Sequence, residues 1–215
     1  GGLAGRVYGD ISYSTAEQVT VTGTGSNTGG LAGYAVPVVS RRDVITNEEL
    51  TVKNANIKGV SYVGGIFGQG QLRNNNSGTT WSRVENSTII GTGSYIGGLA
   101  GNRNVWWNRN GLVRDCQIFG GSHVGGAMGN ISQMMKAFVL DSVISTIYDP
   151  KYEALTGHAV PSPSGSQNRY IGGISGYAGF GGPQAFGCGV VNCTIGAAGA
   201  DYVGGINGYF ASGGY

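Results

Sequence analysis

The chain has 215 residues, 43 of them glycine, a net charge of +2 and only 11% Asp, Glu, Lys and Arg, against about a quarter charged residues in an ordinary soluble domain. Its basic residues are scattered and leave no electrostatic footprint for nucleic acid. No apolar run approaches the length that spans a bilayer, and the glycines lack the Gly-X-Y period of collagen.

The chain begins with Gly1-Gly2-Leu3-Ala4-Gly5, a cut copy of a motif seen in full as Tyr95-Ile96-Gly97-Gly98-Leu99-Ala100-Gly101. The first glycine of each pair falls at 1, 29, 64, 97, 125, 172 and 204. A period of this size marks a repeat architecture. A second block, Val-x-(Asn or Asp)-small-x-Ile, precedes each complete copy. After the loose version at Ala16, Gln18, Val19 and Val21, it reads Val52/Asn54/Ala55/Ile57, Val84/Asn86/Ser87/Ile89, Val113/Asp115/Cys116/Ile118, Val139/Asp141/Ser142/Ile144 and Val190/Asn192/Cys193/Ile195.

In chain order, a strand is expected at 16–23, where apolar and polar residues alternate. Thr20, Thr22 and Thr24 suggest an ice-binding array but occupy one rung only. Residues 34–51 form an outgrowth in which Thr46-Asn47-Glu48-Glu49 is able to cap a short helical turn. Rungs follow at 52–68, 84–101 and 113–129, separated by loops at 69–83 and 102–112. An insertion at 146–169, with Tyr148-Asp149-Pro150, Tyr152, His158 and Pro161-Ser162-Pro163, reads as a surface loop without regular structure. The last rung spans 190–208. The chain shows neither a signal peptide nor an initiator Met, which points to a mature form or a fragment.

Stacking these rungs places the five Ile residues in one column and the five Val residues in another, burying apolar surface that no single rung buries alone. Ser87 and Ile89 share a strand face, whereas Val84 needs a bend before Ser87, which Asn86 is suited to give. Glycine supplies positive φ and allows close backbone approach. The paired glycines are therefore expected where one strand lies over another, and the last glycine where the chain turns out to its loop. The fold expected is an all-β β-solenoid of about six Gly-rich rungs in a single domain over 1–215.

The candidate chemistry is sparse. Asp115 and Asp141 share a slot on consecutive rungs and suggest a Ca²⁺ site or an acidic pair. Asn in the same slot elsewhere favours a plain corner residue. Stacked carboxylates would repel, so the pair needs a raised pKa, a cation or outward divergence. Tyr62, Tyr95, His123, Tyr170 and Tyr202 form a further column, read either as a strip for sugar rings or, preferably, as a stacking ladder. Cys116 and Cys193 are too far apart to bridge; Cys188 and Cys193 are close enough in sequence to pair across a turn, though small buried thiols are the favoured reading. Four Asn-x-Ser/Thr matches are incidental, since two lie within the strand block. No catalytic arrangement, metal set or cofactor motif is visible. The binding candidates are Trp106 and Trp107 with Arg103 and Arg109, because aromatic and Arg anchors are typical of hot spots, followed by Tyr148 and Tyr152.

The repeated Ile/Val-Gly-Gly-Leu/Ile-x-Gly, preceded by Val-x-Asn-x-x-Ile-x-Gly, resembles the GLUG-motif family over nearly the whole chain, from Gly1 to Gly208. Those repeats occur in large bacterial surface and secreted proteins, including filamentous haemagglutinin-like adhesins and non-catalytic regions of some IgA-specific peptidases. The resemblance implies a non-enzymatic extracellular or cell-surface module whose loops bind a host protein or glycan. A fibre subunit stacking end to end and a polysaccharide-cleaving β-helix are the alternatives.

Overall fold

The computed structural model describes residues 1–9, 11–36, 49–70, 81–102, 108–132, 134–162, 168–179, 185–196 and 198–210. The chain winds as a parallel β-solenoid of about five turns. The expected number is about six rungs. Three sheets run along the stack. The first holds Ala4–Tyr8, Ala32–Val36, Phe67–Gln69, Ala100–Asn102, Met128–Ile131, Ser175–Ala178 and Asn207–Phe210. The second runs from Thr15–Glu17 through Thr51–Lys53, Ser82–Glu85, Asn108–Arg114 and Met134–Leu140 to Ala185–Phe186, with Gly189–Val191 alongside. The third includes Thr20–Thr22, Asn56–Gly59, Thr88–Gly97, Gln117–Gly125, Val143–Thr146 and Thr194–Ile195.

The register is that of the repeat. Val52, Val84, Val113, Val139 and Val190 pair in line, with Ala16 below them. Val21, Ile57, Ile89, Ile118, Ile144 and Ile195 make the facing column. Leu31, Ile66, Leu99, Ala127 and Ile174 are linked rung to rung by backbone hydrogen bonds and complete a core whose members are almost all inaccessible to solvent.

The bend between second and third sheets is the one expected of the Asn/Asp slot. Gln18, Asn54, Asn86, Asp115, Asp141 and Asn192 all lie at φ between 45° and 54°, a left-handed conformation that Asn and Asp tolerate because their side chains bond locally. The small residue that follows closes the turn. Ser87 Oγ donates to the Glu85 carbonyl at 2.7 Å and accepts from the Ala55 amide one rung below at 3.1 Å. Ser142 repeats this with Leu140 and Cys116.

The glycine motif forms an arch, and its glycines serve a different end from one of those expected. None of them has positive φ. Instead a Cβ on Gly98 would fall on the Gly126 carbonyl oxygen and within 3 Å of Val113, and one on Gly101 would fall on the Tyr62–Val63 backbone. Close approach is thus the reason for glycine in the rungs that have a neighbour on both sides. Gly101 lies inside the strand Ala100–Asn102 rather than at a turn.

Two further expectations change. Residues 108–112, read as loop, belong to the strand Asn108–Arg114. The insertion holds a helix, α1 (Pro150–Thr156), opened by the Asp149 side chain accepting from the Lys151 amide and closed by Gly157 at φ 69°. The helix covers the outer face of the third sheet, where Ile90, Phe119, Ile147 and Tyr152 form a second, smaller core. The helical turn suggested at 46–49 lies, apart from Glu49, outside the described residues.

Candidate binding surface

From Phe67–Gln69 on, each first-sheet strand folds back against the segment that opens the glycine motif of the preceding rung, so two rows of side chains come to lie side by side along one corner. One row is Asn27, Tyr62, Tyr95, His123, Tyr170 and Tyr202, whose neighbours are fixed by parallel pairing or backbone bonds. The other is Arg6, Tyr34, Gln69, Asn102, Asn130, Tyr177 and Tyr209. The aromatic column read from sequence is real. Tyr62 and Tyr95 are parallel with centroids 5.3 Å apart, His123 lies 4.6 Å from Tyr95 and 4.9 Å from Tyr170, and Tyr202 is 5.3 Å from Tyr170. Tyr177 and Tyr209, which sequence reasoning did not single out, join it, with Tyr209 4.8 Å from Tyr170 and stacked 5.3 Å from Tyr177. Their signal was the residue after the third glycine, which is aromatic in Gly176-Tyr177 and Gly208-Tyr209. At the opposite end the Arg6 guanidinium sits over Tyr8 and Tyr34.

This corner carries backbone strain. Asn27, Tyr62, Tyr95 and His123 adopt φ of 66°, 51°, 65° and 52°, which costs a bulky side chain about 1–2 kcal/mol, whereas Asn takes it more easily. An offset aromatic pair returns about 0.5–1.5 kcal/mol. Stacking therefore roughly offsets the strain and gives little net stability over Asn. Around the ladder, desolvation first, then the neighbouring Tyr62 and Tyr177 rings, push the Tyr95 phenol up, keeping it protonated as a hydrogen-bond donor. Burial pushes the His123 imidazole down to about 4, so it is neutral at pH 7. Its Nδ1 lies 2.6 Å from Ser122 Oγ.

The loop-bearing edge adjoins this corner. Segments 37–48, 71–80, 103–107 and 180–184 all join first-sheet strands to second-sheet strands, so their roots stack on one edge, and 103–107 leaves directly after Asn102. Arg103, Trp106 and Trp107 fall outside the described residues. Arg109 is half-buried within its strand, paired with Met135. Tyr148 and Tyr152 are not brought to the loop edge. Tyr152 is buried with its ring 6.0 Å from Phe119, and Tyr148 lies under the Arg169 guanidinium at 4.8 Å; both are packing residues of the insertion. Tyr152 is the buried side chain of α1, whereas Tyr148 precedes the helix and is half-buried.

The remaining candidates are structural in geometry. Asp115 and Asp141 are exposed corner residues, and Asp141 accepts from Asn192 Nδ2 at 2.7 Å, as Asn54 accepts from Asn86. Cys116, Cys188 and Cys193 are free thiols, so the Cys188–Cys193 bridge does not form. Burial pushes Cys116 up to about 12, and its thiol points to the Arg114 carbonyl. Among the described residues no group of three His, Cys, Asp or Glu is placed to hold a metal, and no helix is long and apolar enough to cross a membrane. No family model, curated protein or solved structure matches the chain.

Proposed function

We propose that the chain is a non-enzymatic structural and adhesive module of an extracellular or cell-surface protein, holding a row of variable loops along one rigid edge. The observation that carries this reading is the stacking of the loop roots. Four segments of different length and sequence join first-sheet strands to second-sheet strands at the same place on four rungs of the stack, beside a strained aromatic corner. A scaffold of repeats with variable insertions on one face is a common design for binding surfaces. The resemblance to GLUG-motif repeats accords with this setting. Loop 103–107, with Arg103, Trp106 and Trp107, is the first segment assigned to contact a host protein or glycan.

Beads coated with the protein, applied to epithelial monolayers and to glycan-coated plates, test the reading. Retention is expected on at least one surface and should fall when 103–107 is replaced by Gly-Ser of equal length. Absence of retention on all of them would overturn it. A second reading, axial assembly, rests on the unpaired strand edge that a stack of parallel rungs presents. Such an edge is completed by a further turn of the same geometry, from the same chain or another copy. Filaments whose length grows with concentration in electron micrographs would support it.

A further inference from the structure

We propose that the corner formed by the aromatic row Tyr62, Tyr95 and His123 and the amide row Gln69, Asn102 and Asn130 is a groove for an extended, neutral, equatorially linked polysaccharide lying along the solenoid axis. This rests on the adhesive reading above and names a site and ligand class for it.

Four observations converge on this assignment. The first is strain. Bulky residues are held left-handed at a position where Asn27 shows that Asn is accepted, and the stacking they gain only matches that cost, so the rings answer a need other than stability. The second is ring geometry. Tyr62 and Tyr95 lie with parallel planes and centroids 5.3 Å apart, one ring per rung. Each is partly exposed, so the row presents aromatic surface at the rung spacing to the apolar side of a sugar ring. The third is chemistry. The three middle rungs of the groove hold phenol, imidazole and amide groups with no Asp, Glu, Lys or Arg, and Ser61 and Ser94 flank the aromatic row. Neutral donors and acceptors beside aromatic faces suit a polyhydroxylated ligand and offer nothing to a charged one. The fourth is repeat length. Rungs are about 4.8 Å apart, and an extended, equatorially linked pyranose chain advances by about one rung per sugar, so each sugar lies over one rung, with alternate sugars turned over. The coiled chain of an α-1,4-glucan departs from a straight row.

The test uses the whole chain in affinity gel electrophoresis with soluble mixed-linkage β-glucan and hydroxyethyl cellulose, with amylose and polygalacturonate as the axial and charged comparisons. The protein is expected to be retarded by the first two and not by the others. The double variant Tyr62→Asn/Tyr95→Asn removes the rings while keeping a residue the backbone conformation accepts. It should melt within a few degrees of the wild type and lose affinity by at least about tenfold, as two aromatic contacts are lost. The single variant Gln69→Ala, on the amide row, should weaken retardation without changing the melting temperature. No retardation by either β-linked chain, stronger retardation by polygalacturonate, or a folded double variant that binds as the wild type would overturn the proposal. Bead retention that survives the double variant but not the loop exchange would remove the groove and leave the adhesive reading standing.

Discussion

At single positions the chain separates two kinds of left-handed residue. The corner slot between second and third sheets takes Asn or Asp, which relieve the conformation with their own side chains; the arch corner takes Tyr and His, which do not. His123 illustrates the consequence. It is packed between Tyr95 and Tyr170, and burial pushes its imidazole down to about 4 from an unfolded value near 6.5. The unfolded chain therefore binds the proton first as pH falls. Stability owed to the neutral ring is complete above about pH 6.5, declines between there and about pH 4, and levels off below. After allowance for partial exposure, the effect amounts to about 1–2 kcal/mol. Urea unfolding of the wild type and of His123→Tyr at pH 7, 5.5 and 4 checks this: the variant should gain relative stability as pH falls. A difference independent of pH would refute it. The reading of His123 as a stand-in for Tyr was accessible from its slot in the motif, whereas the strain at that slot was not, because Tyr carries no sequence signal for positive φ.

At the level of the element, the arch explains why glycine dominates the composition. Its Cα atoms face other backbones, so the demand for glycine comes from the rung above or below and not from the residue's own dihedral angles. Gly98 and Gly205 hold the same place in the motif and differ only in surroundings. A Cβ on Gly98 meets Gly126 and Val113, while one on Gly205, in the last turn, meets nothing within 4 Å. Gly98→Ala should thus cost about 1–3 kcal/mol by overpacking, and Gly205→Ala should stay within about 0.5 kcal/mol. Thermal melts of the two variants make the comparison, and equal losses would show that dihedral freedom matters after all. Close approach was legible in the doubled glycines, since nothing else in the motif needs them. The helix α1 was not, because seven residues are too few to show a 3.6-residue period. Its signals were local: Asp149 as cap, Pro150 at the first position and Gly157 at the end, a sequence that reads equally as turns when taken without the surface it covers. Phe119 gave the missing half of that argument. It stands on the outer face of the third sheet beside Ile90, where an apolar pair demands a cover.

For the molecule as a whole, stability should be approximately additive in turns, because each rung meets only its two neighbours. The register makes this testable by deletion. Thr88 pairs with Gln117, so removing residues 88–116 joins Ser87 to Gln117 in the same slot, and every column is preserved with one turn fewer. The second sheet closes by bringing Ser82–Glu85 against Met134–Leu140, both of which now flank Asn108–Arg114. One mismatch arises: Lys58, the partner of Ile90, takes its place beneath Phe119 and α1, so local loosening of the helix is expected. Removing 88–112 instead puts Val113 into the slot of Thr88 and shifts each column by four residues, turning apolar side chains out of the core. The in-phase deletion should fold, keep a β-type circular dichroism spectrum and lower the urea m-value by about a fifth, in proportion to the surface lost from about five turns. The out-of-phase deletion should not fold. If both fold equally well, successive coils do not depend on like residues lining up along the axis. If neither does, the chain is one cooperative unit whose turns cannot be exchanged, and the loops along its edge could not have varied in length as independently as their sequences suggest.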